Sequence, residues 1–90
     1  MAYIIQYLEV VVTQDIPALP KTMRERIKDA IEERLMTDPI GFGKPLRYSL
    51  KGQRRLRVGD YRILYSIKDD KVIISAIKHR KYIYRSSSKH

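Results

Sequence analysis

The chain contains no cysteine and only two histidines, His79 and His90. The absence of cysteine excludes disulfide bonds, thiolate nucleophiles and zinc sites with sulfur ligands. Two histidines are too few for a metal site without several carboxylates, and the half of the chain that holds them offers only Asp60, Asp69 and Asp70. We therefore expect neither a metal site nor another cofactor.

No hydrophobic run is long enough to span a membrane. The apolar segment at residues 1 to 12 is interrupted by Gln6 and Glu9 and lacks a basic N-terminal region. We expect no membrane partner, and a cytoplasmic location is the default interpretation. The hydrophobic content of 43% supports a single domain, placed at residues 1–85, with a flexible tail at 86–90.

The positive charge is concentrated in the second half of the chain. Residues 1 to 43 hold five Lys/Arg against seven Asp/Glu, whereas residues 44 to 90 hold fourteen against three. This asymmetry favours an anionic partner, with nucleic acid first, an acidic protein second and anionic lipid third.

The spacing of apolar residues in the first half predicts one strand and one long helix. Residues 2 to 12 are rich in Ile, Val and Tyr, which is typical of a strand, and residues 15 to 19 could form a short helical turn. Apolar residues then recur at helical spacing until about Met36, before the Asp38-Pro39 pair ends the helix. A loop of about eight residues follows.

The second half predicts a meander of three antiparallel strands. The strands cover residues 54–58, 61–68 and 71–80, separated by the two-residue breaks Gly59-Asp60 and Asp69-Asp70. Facing partners then have numbers that sum to 119 in the first hairpin and to 139 in the second. Because a one-residue change in register inverts a strand, the faces that follow depend on both turns.

This register divides the meander into an apolar core face and a basic face. The core face is predicted to contain Leu56, Val58, Tyr61, Ile63, Tyr65, Ile67, Val72, Ile74 and Ala76. The basic face is predicted to contain Gln53, Arg55, Arg57, Arg62, Leu64, Ser66, Ser75, Ile77 and His79. Arg57 then lies opposite Arg62, a pairing that an arriving anion would offset. Alternatively, the long arginine side chains splay into solvent.

The chain past the last strand reads His-Arg-Lys-Tyr-Ile-Tyr at residues 79 to 84. Tyrosines among basic residues suit RNA, because aromatic rings stack on bases and guanidinium groups hold phosphates. The candidate RNA-binding residues are Lys51, Arg54, Arg57, Lys78, Lys81 and Tyr82.

The segment RLRVGDYRILY at residues 55 to 65, with the later strand and residues 79 to 84, resembles the RelE/ParE superfamily of toxins. The resemblance implies an α+β fold whose twisted antiparallel sheet of about four strands joins the N-terminal strand to the meander. One or two helices would pack on one side of the sheet, and a basic concave surface would form the other. It further implies a toxin of a type II toxin–antitoxin pair, whose cognate RelB-like antitoxin covers the basic face with an acidic segment.

In the RelE branch the resemblance implies a ribosome-dependent endoribonuclease that cleaves mRNA in the A site. The ribose 2′-hydroxyl attacks the adjacent phosphate and leaves a 2′,3′-cyclic phosphate. Arg62 resembles the phosphate clamp, Arg80 the arginine that supports the leaving group, and Tyr84 the tyrosine that orients the nucleotide. Two alternatives stay open, a ParE-like inhibitor that binds DNA gyrase and an inactive homologue that only binds an antitoxin.

The general base of this reaction is the open question at the sequence level. Arg55, which the resemblance includes among the catalytic residues, and Gln53 both occupy places where the RelE pattern has lysine. Arginine effectively never loses its proton. His79 is the natural substitute because the pKa of a histidine near 6.5 suits acid–base work. Lys51 is a further candidate.

Overall fold

The computed structural model describes residues 2–46 and 52–81, which form a five-stranded sheet with helices on one face. The elements in chain order are β1 (Ile4–Tyr7), a π-helical turn π1 (Val11–Asp15), α1 (Lys21–Ala30), a second π-helical turn π2 (Ile31–Leu35), α2 (Pro39–Phe42), β2 (Lys44–Pro45), β3 (Arg54–Val58), β4 (Tyr61–Lys68) and β5 (Lys71–His79). The strand order is β1-β5-β4-β3-β2. The predicted α+β class is confirmed, with the short β2 as a strand beyond the four expected. The expectation of a wholly antiparallel sheet is wrong, because β1 pairs in parallel with β5 and the sheet is mixed.

The first strand is much shorter than predicted. It pairs in parallel with β5 over Ile4 to Tyr7, and the Leu8 amide still donates to the Ile74 carbonyl at 3.0 Å. The chain then turns helical, because Val11 and Asp15 are four residues apart and both bury their side chains. The helical turn expected at residues 15 to 19 therefore lies a few residues earlier.

The long helix forms where the apolar spacing predicted it. It begins after Pro20 as α1 and continues through π2 to Leu35, so the predicted end near Met36 is confirmed. Asp38 then caps α2, accepting a hydrogen bond from the Gly41 amide at 2.9 Å. No helix in the described part of the chain is long and apolar enough to cross a membrane.

The core lies between α1–π2 and one face of the sheet. The helix contributes Ile27, Ile31 and Leu35, and the central strands contribute the fully buried Ile63 and Ile74. Each such side chain stabilises the fold by about 1.5–3 kcal/mol on burial. The helices are thereby confined to one face of the sheet.

The register of the second hairpin changes at Ser75. The first hairpin follows the predicted sum of 119 throughout, and the second follows 139 from Lys68↔Lys71 to Tyr65↔Ile74. A β-bulge then shifts the pairing, so that Leu64 faces Ala76. Ile77 therefore joins the core at 3% exposure, and the predicted faces of Ala76, Ile77 and His79 are wrong. Both turns rest on left-handed residues, Gly59 (φ 59°) and Asp69 (φ 57°).

Tyr65 links the sheet to residues 39 to 43, which we call the α2 loop. Its hydroxyl donates to the Pro39 carbonyl at 2.5 Å, and its ring is fully buried. A Cβ on Gly43 would collide with this hydroxyl, so only glycine fits there. Burial raises the pKa of Tyr65, while the neighbouring Arg54 acts in the opposite direction.

Replacing Tyr65 with phenylalanine is expected to cost about 1–2 kcal/mol of unfolding free energy at pH 8, because the Pro39 carbonyl loses its donor. Because the pKa of Tyr65 is raised in the folded state, the contribution of the neutral phenol to the unfolding free energy is complete below pH ~10. That contribution is lost as the pH rises through the folded-state pKa. Urea unfolding measured above and below pH ~10 should therefore show that the unfolding free energy falls less at alkaline pH for the variant than for the wild type. An equally steep loss in both proteins would contradict this account of Tyr65.

Candidate nucleic-acid interface

Three cations lie side by side across β3, β4 and β5 on the face of the sheet opposite α1. Arg57 pairs with Arg62, and Arg62 pairs in turn with Lys78. We call these three residues the cation row. Like charges in facing positions destabilise a sheet, by roughly 0.2–1 kcal/mol per pair. The row therefore has a cost in the free protein that a bound anion would remove.

Arg62 stands at the centre of the row and is only 4% exposed. Its Nη1 donates weakly to the carbonyls of Tyr61 at 3.1 Å and Gly59 at 3.3 Å. Its Nε is buried and has no hydrogen-bond partner among the described residues, and no carboxylate of the described part pairs with it. A buried guanidinium without a counter-ion is costly, so this position favours an anionic ligand.

Lys78, at the other end of the row, has an internal partner. Its Nζ lies 2.7 Å from Oδ1 of Asp15, whose side chain is 2% exposed. The other oxygen, Oδ2, accepts the Ile77 amide hydrogen bond at 2.9 Å. Asp15 can do this because β1 pairs with β5 only as far as Ile74, which leaves the later edge of β5 to π1. Sequence reasoning missed Asp15, although a single aspartate four residues after Val11 on an apolar segment was a usable signal.

Arg55 and Arg57 supply the remaining guanidinium groups of this face. Arg57 is exposed, whereas Arg55 is partly exposed and faces Leu64. Nearby, the Gln53 side chain donates to Ser75 Oγ at 3.3 Å, and Ser75 Oγ donates to the Leu64 carbonyl at 3.2 Å. These polar groups continue the face toward the bulge in β5.

Arg54 lies on the other face, where it pairs with Tyr65. Its Nη2 donates to the carbonyls of Ile40 at 2.7 Å and Gly43 at 3.0 Å. Strand alternation explains this placement, since Arg55 and Arg57 point one way and Arg54 the other. Arg54 is thus tied to the α2 loop on the face opposite the cation row, and its inclusion among the RNA-binding residues stays a prediction.

His79 does not join the arginines as predicted. The Ser75 bulge places it opposite Tyr61 on the core side, where the two rings meet edge to face with centroids 5.3 Å apart. Its Nδ1 accepts the Lys81 amide hydrogen bond at 3.3 Å. A histidine on this side is separated by the sheet from the cation row.

The segment after β5 is described only as far as Lys81. Arg80 and Lys81 are both exposed, and the Arg80 amide donates to the Asp60 carbonyl at 2.8 Å. That hydrogen bond holds the start of the segment against the β3–β4 turn. The candidates Lys51, Tyr82 and Tyr84 lie outside the described residues.

The described elements form a small α+β domain whose sheet carries the cation row on the face opposite α1. The chain belongs to the RelE/ParE superfamily of toxins of type II toxin–antitoxin systems. The sequence model of the family described as "ParE toxin of type II toxin-antitoxin system, parDE" matches residues 8–84. The resemblance stated from the sequence is confirmed.

Named relatives agree with this membership. Toxin RelG of Mycobacterium tuberculosis is 36% identical over 74 residues, which cover 80% of this chain and 85% of RelG. Toxin RelE3 of Methanocaldococcus jannaschii is 35% identical over 74 residues, which cover 79% of this chain and 84% of that toxin. The chain is thus similar to RelE-type toxins over most of its length.

Solved structures show the same fold. The toxin–antitoxin complex RelBE2 of Mycobacterium tuberculosis contains a chain that superimposes with a TM-score of 0.81 at 30% identity, covering 89% of this chain and 93% of that one. The RelB–RelE complex of Methanococcus jannaschii gives a TM-score of 0.74 at 28% identity, covering 90% and 96%. The isolated Escherichia coli RelE toxin, at 23% identity, shares the fold with a TM-score of 0.72, covering 98% and 97%.

Proposed function

We propose that this toxin is a ribosome-dependent endoribonuclease that cleaves mRNA in the A site and so inhibits translation. The observation that carries the proposal is Arg62, a buried guanidinium at the centre of the cation row with an unpartnered Nε. Similarity to toxins named RelE and RelG supports it. Action on ribosomes requires a cytoplasmic location.

The reaction needs cations where negative charge develops on the phosphate. The ribose 2′-oxygen forms a bond to phosphorus, the bond from phosphorus to the 5′-oxygen breaks, and a 2′,3′-cyclic phosphate and a 5′-hydroxyl result. Arg62 holds the phosphate, with Arg57 and Arg55 beside it, because guanidinium groups bind phosphate oxygens through paired N–H donors. Such preorganised donors lower the barrier most where the charge increases in the transition state.

Proton transfer in this reaction falls to residues outside the cation row. His79 is on the wrong face to take the 2′-proton, and arginine does not release its own. Of the named candidates this leaves Lys51 as the base, with Arg80 supporting the leaving 5′-oxygen and Tyr84 orienting the nucleotide. Lys81 and Tyr82 would contact the flanking RNA.

A cognate RelB-like antitoxin is the proposed partner besides mRNA and the ribosome. Similar chains occur in complexes titled RelBE2 and RelB–RelE. An acidic antitoxin segment laid on the cation row would supply the counter-charge that Arg62 lacks among the described residues. Neutralisation would then use the same surface as RNA binding.

The deciding experiment adds the purified toxin to translating ribosomes and maps the ends of the mRNA. New ends at the A site, with 2′,3′-cyclic phosphate termini, are the expected result. A preparation that folds and binds its antitoxin but produces no such ends would overturn the proposal.

Inhibition of DNA gyrase is the second candidate, because the matching family model is the one named for ParE. A set of Arg80, His79 and Tyr84 together on the basic face would favour RNA chemistry over gyrase binding, but His79 lies on the other face. A gyrase supercoiling assay separates the two functions. Inhibited supercoiling with intact mRNA would favour gyrase as the target.

A further inference from the structure

Lys78 differs from the two arginines of the cation row in its electrostatic state. Its ammonium lies 2.7 Å from the Asp15 carboxylate, and that contact is the one ion pair within residues 2–46 and 52–81. Arg57 and Arg62 have no carboxylate partner in the same part of the chain. Among the described residues the row therefore has two cations without a carboxylate partner, while the third, Lys78, is 46% exposed and paired with Asp15.

Asp15 is itself fixed in place by the fold. Its Oδ2 accepts the Ile77 amide hydrogen bond at 2.9 Å, and Val11, four residues earlier in π1, is fully buried. A carboxylate that is 2% exposed and held by a backbone donor is a strong partner for an ammonium group, since little water competes for it. Lys78 is thus tied to the edge of β5 directly beside Arg62.

We propose that Asp15 is a positioning residue that withholds Lys78 from the nucleic acid, so that the row engages RNA phosphates through its two arginines alone. This inference rests on the proposed function. Guanidinium groups hold a phosphate in a defined orientation through paired donors, whereas an ammonium acts as a point charge on a flexible stem. While Lys78 is paired with Asp15, only Arg57 and Arg62 orient the phosphate.

Replacement of Asp15 with asparagine separates the two contacts of this carboxylate. The amide oxygen can still accept the Ile77 hydrogen bond, while Lys78 loses its counter-ion. We expect a single-stranded RNA oligonucleotide with 2′-O-methyl riboses, which cannot be cleaved, to bind several-fold more tightly at low salt. The slope of log affinity against log salt should steepen by about 0.7, the value for one further phosphate contact. If Asp15 had only a structural role, its replacement would weaken RNA binding instead.

Four further variants complete the test by fluorescence anisotropy. Lys78→Gln alone should leave the salt slope unchanged, whereas Arg57→Gln should reduce its magnitude by about 0.7. The double variant Asp15→Asn/Lys78→Gln should return to the wild-type slope. Asp38→Asn makes the same change in net charge at a carboxylate that also accepts a backbone amide hydrogen bond at 2.9 Å, and it should not steepen the slope.

The inference would be overturned if Asp15→Asn bound RNA more weakly and without a steeper salt dependence. It would also be overturned if Lys78→Gln reduced the slope of log affinity against log salt as much as Arg57→Gln does. If Asp15→Asn does not fold, as judged by circular dichroism, the comparison of Lys78→Gln with Arg57→Gln decides alone. No binding of the oligonucleotide by the wild type would overturn this inference alone, because the proposed cleavage depends on the ribosome and is tested there. Binding with the expected slopes but intact mRNA would overturn only the cleavage reaction.

Discussion

Replacing Arg62 with methionine is expected to abolish growth arrest and to slow mRNA cleavage at least about 100-fold, a typical loss for one preorganised donor to a developing oxyanion. The unfolding free energy should nevertheless stay within about 1 kcal/mol of the wild type, because a buried charge exchanged for an apolar side chain of similar size is often tolerated. Arg62 lacks a counter-ion among the described residues, and its two carbonyl contacts exceed 3.0 Å. We therefore predict that Arg62→Met loses activity while it keeps its stability.

Cleavage by translating ribosomes and urea unfolding measure the two quantities. Arg62→Lys keeps the charge without the fork of donors and should recover only part of the rate. Arg34→Met is a matched control, since it removes an exposed arginine from π2 and should change neither quantity appreciably. Toxicity of Arg62→Met equal to that of the wild type would contradict the central role of this residue.

The positions of Arg57 and Arg62 followed from the sequence because the determinants of the first hairpin are local. Gly59-Asp60 is a two-residue turn with a residue of positive φ, and that length fixes every pair from Val58↔Tyr61 to Arg54↔Tyr65. The core face up to Ile74 followed for the same reason. Local turn chemistry thus placed the centre of the candidate site.

The far end of β5 could not be placed in the same way. The bulge at Ser75 inserts one unpaired residue, and the sequence Ile-Ser-Ala around it carries no glycine or proline that would announce it. Its cause is tertiary, since β1 stops at Ile74 and the Asp15 carboxylate takes the Ile77 amide. His79 was therefore assigned to the wrong face, and the proposed base moved away from the arginines.

Replacing Arg54 is predicted to lower stability and not activity, the opposite of the prediction for Arg62. Both arginines have a buried Nε without a partner in the described part of the chain. Replacing Arg54 with methionine is expected to destabilise the protein by about 2–3 kcal/mol, because hydrogen bonds from charged donors contribute about 1.5–3 kcal/mol. The bonds at risk join Arg54 to the carbonyls of Ile40 and Gly43. A thermal midpoint lower by roughly 10 °C or more is the expected readout.

The α2 loop has few other contacts that could compensate for the loss of Arg54. β2 contributes only two residue pairs to the sheet, and Ile40 and Phe42 are more than half exposed. Cleavage per folded molecule, measured well below the thermal midpoint, should remain close to the wild type because Arg54 is on the core side of the sheet. If Arg54→Met instead kept its stability and lost cleavage, the division between a structural and a phosphate-binding arginine would be reversed. The alternation of side chains along β3 places Arg54 on the core side with the α2 loop and its neighbour Arg55 on the face of the cation row.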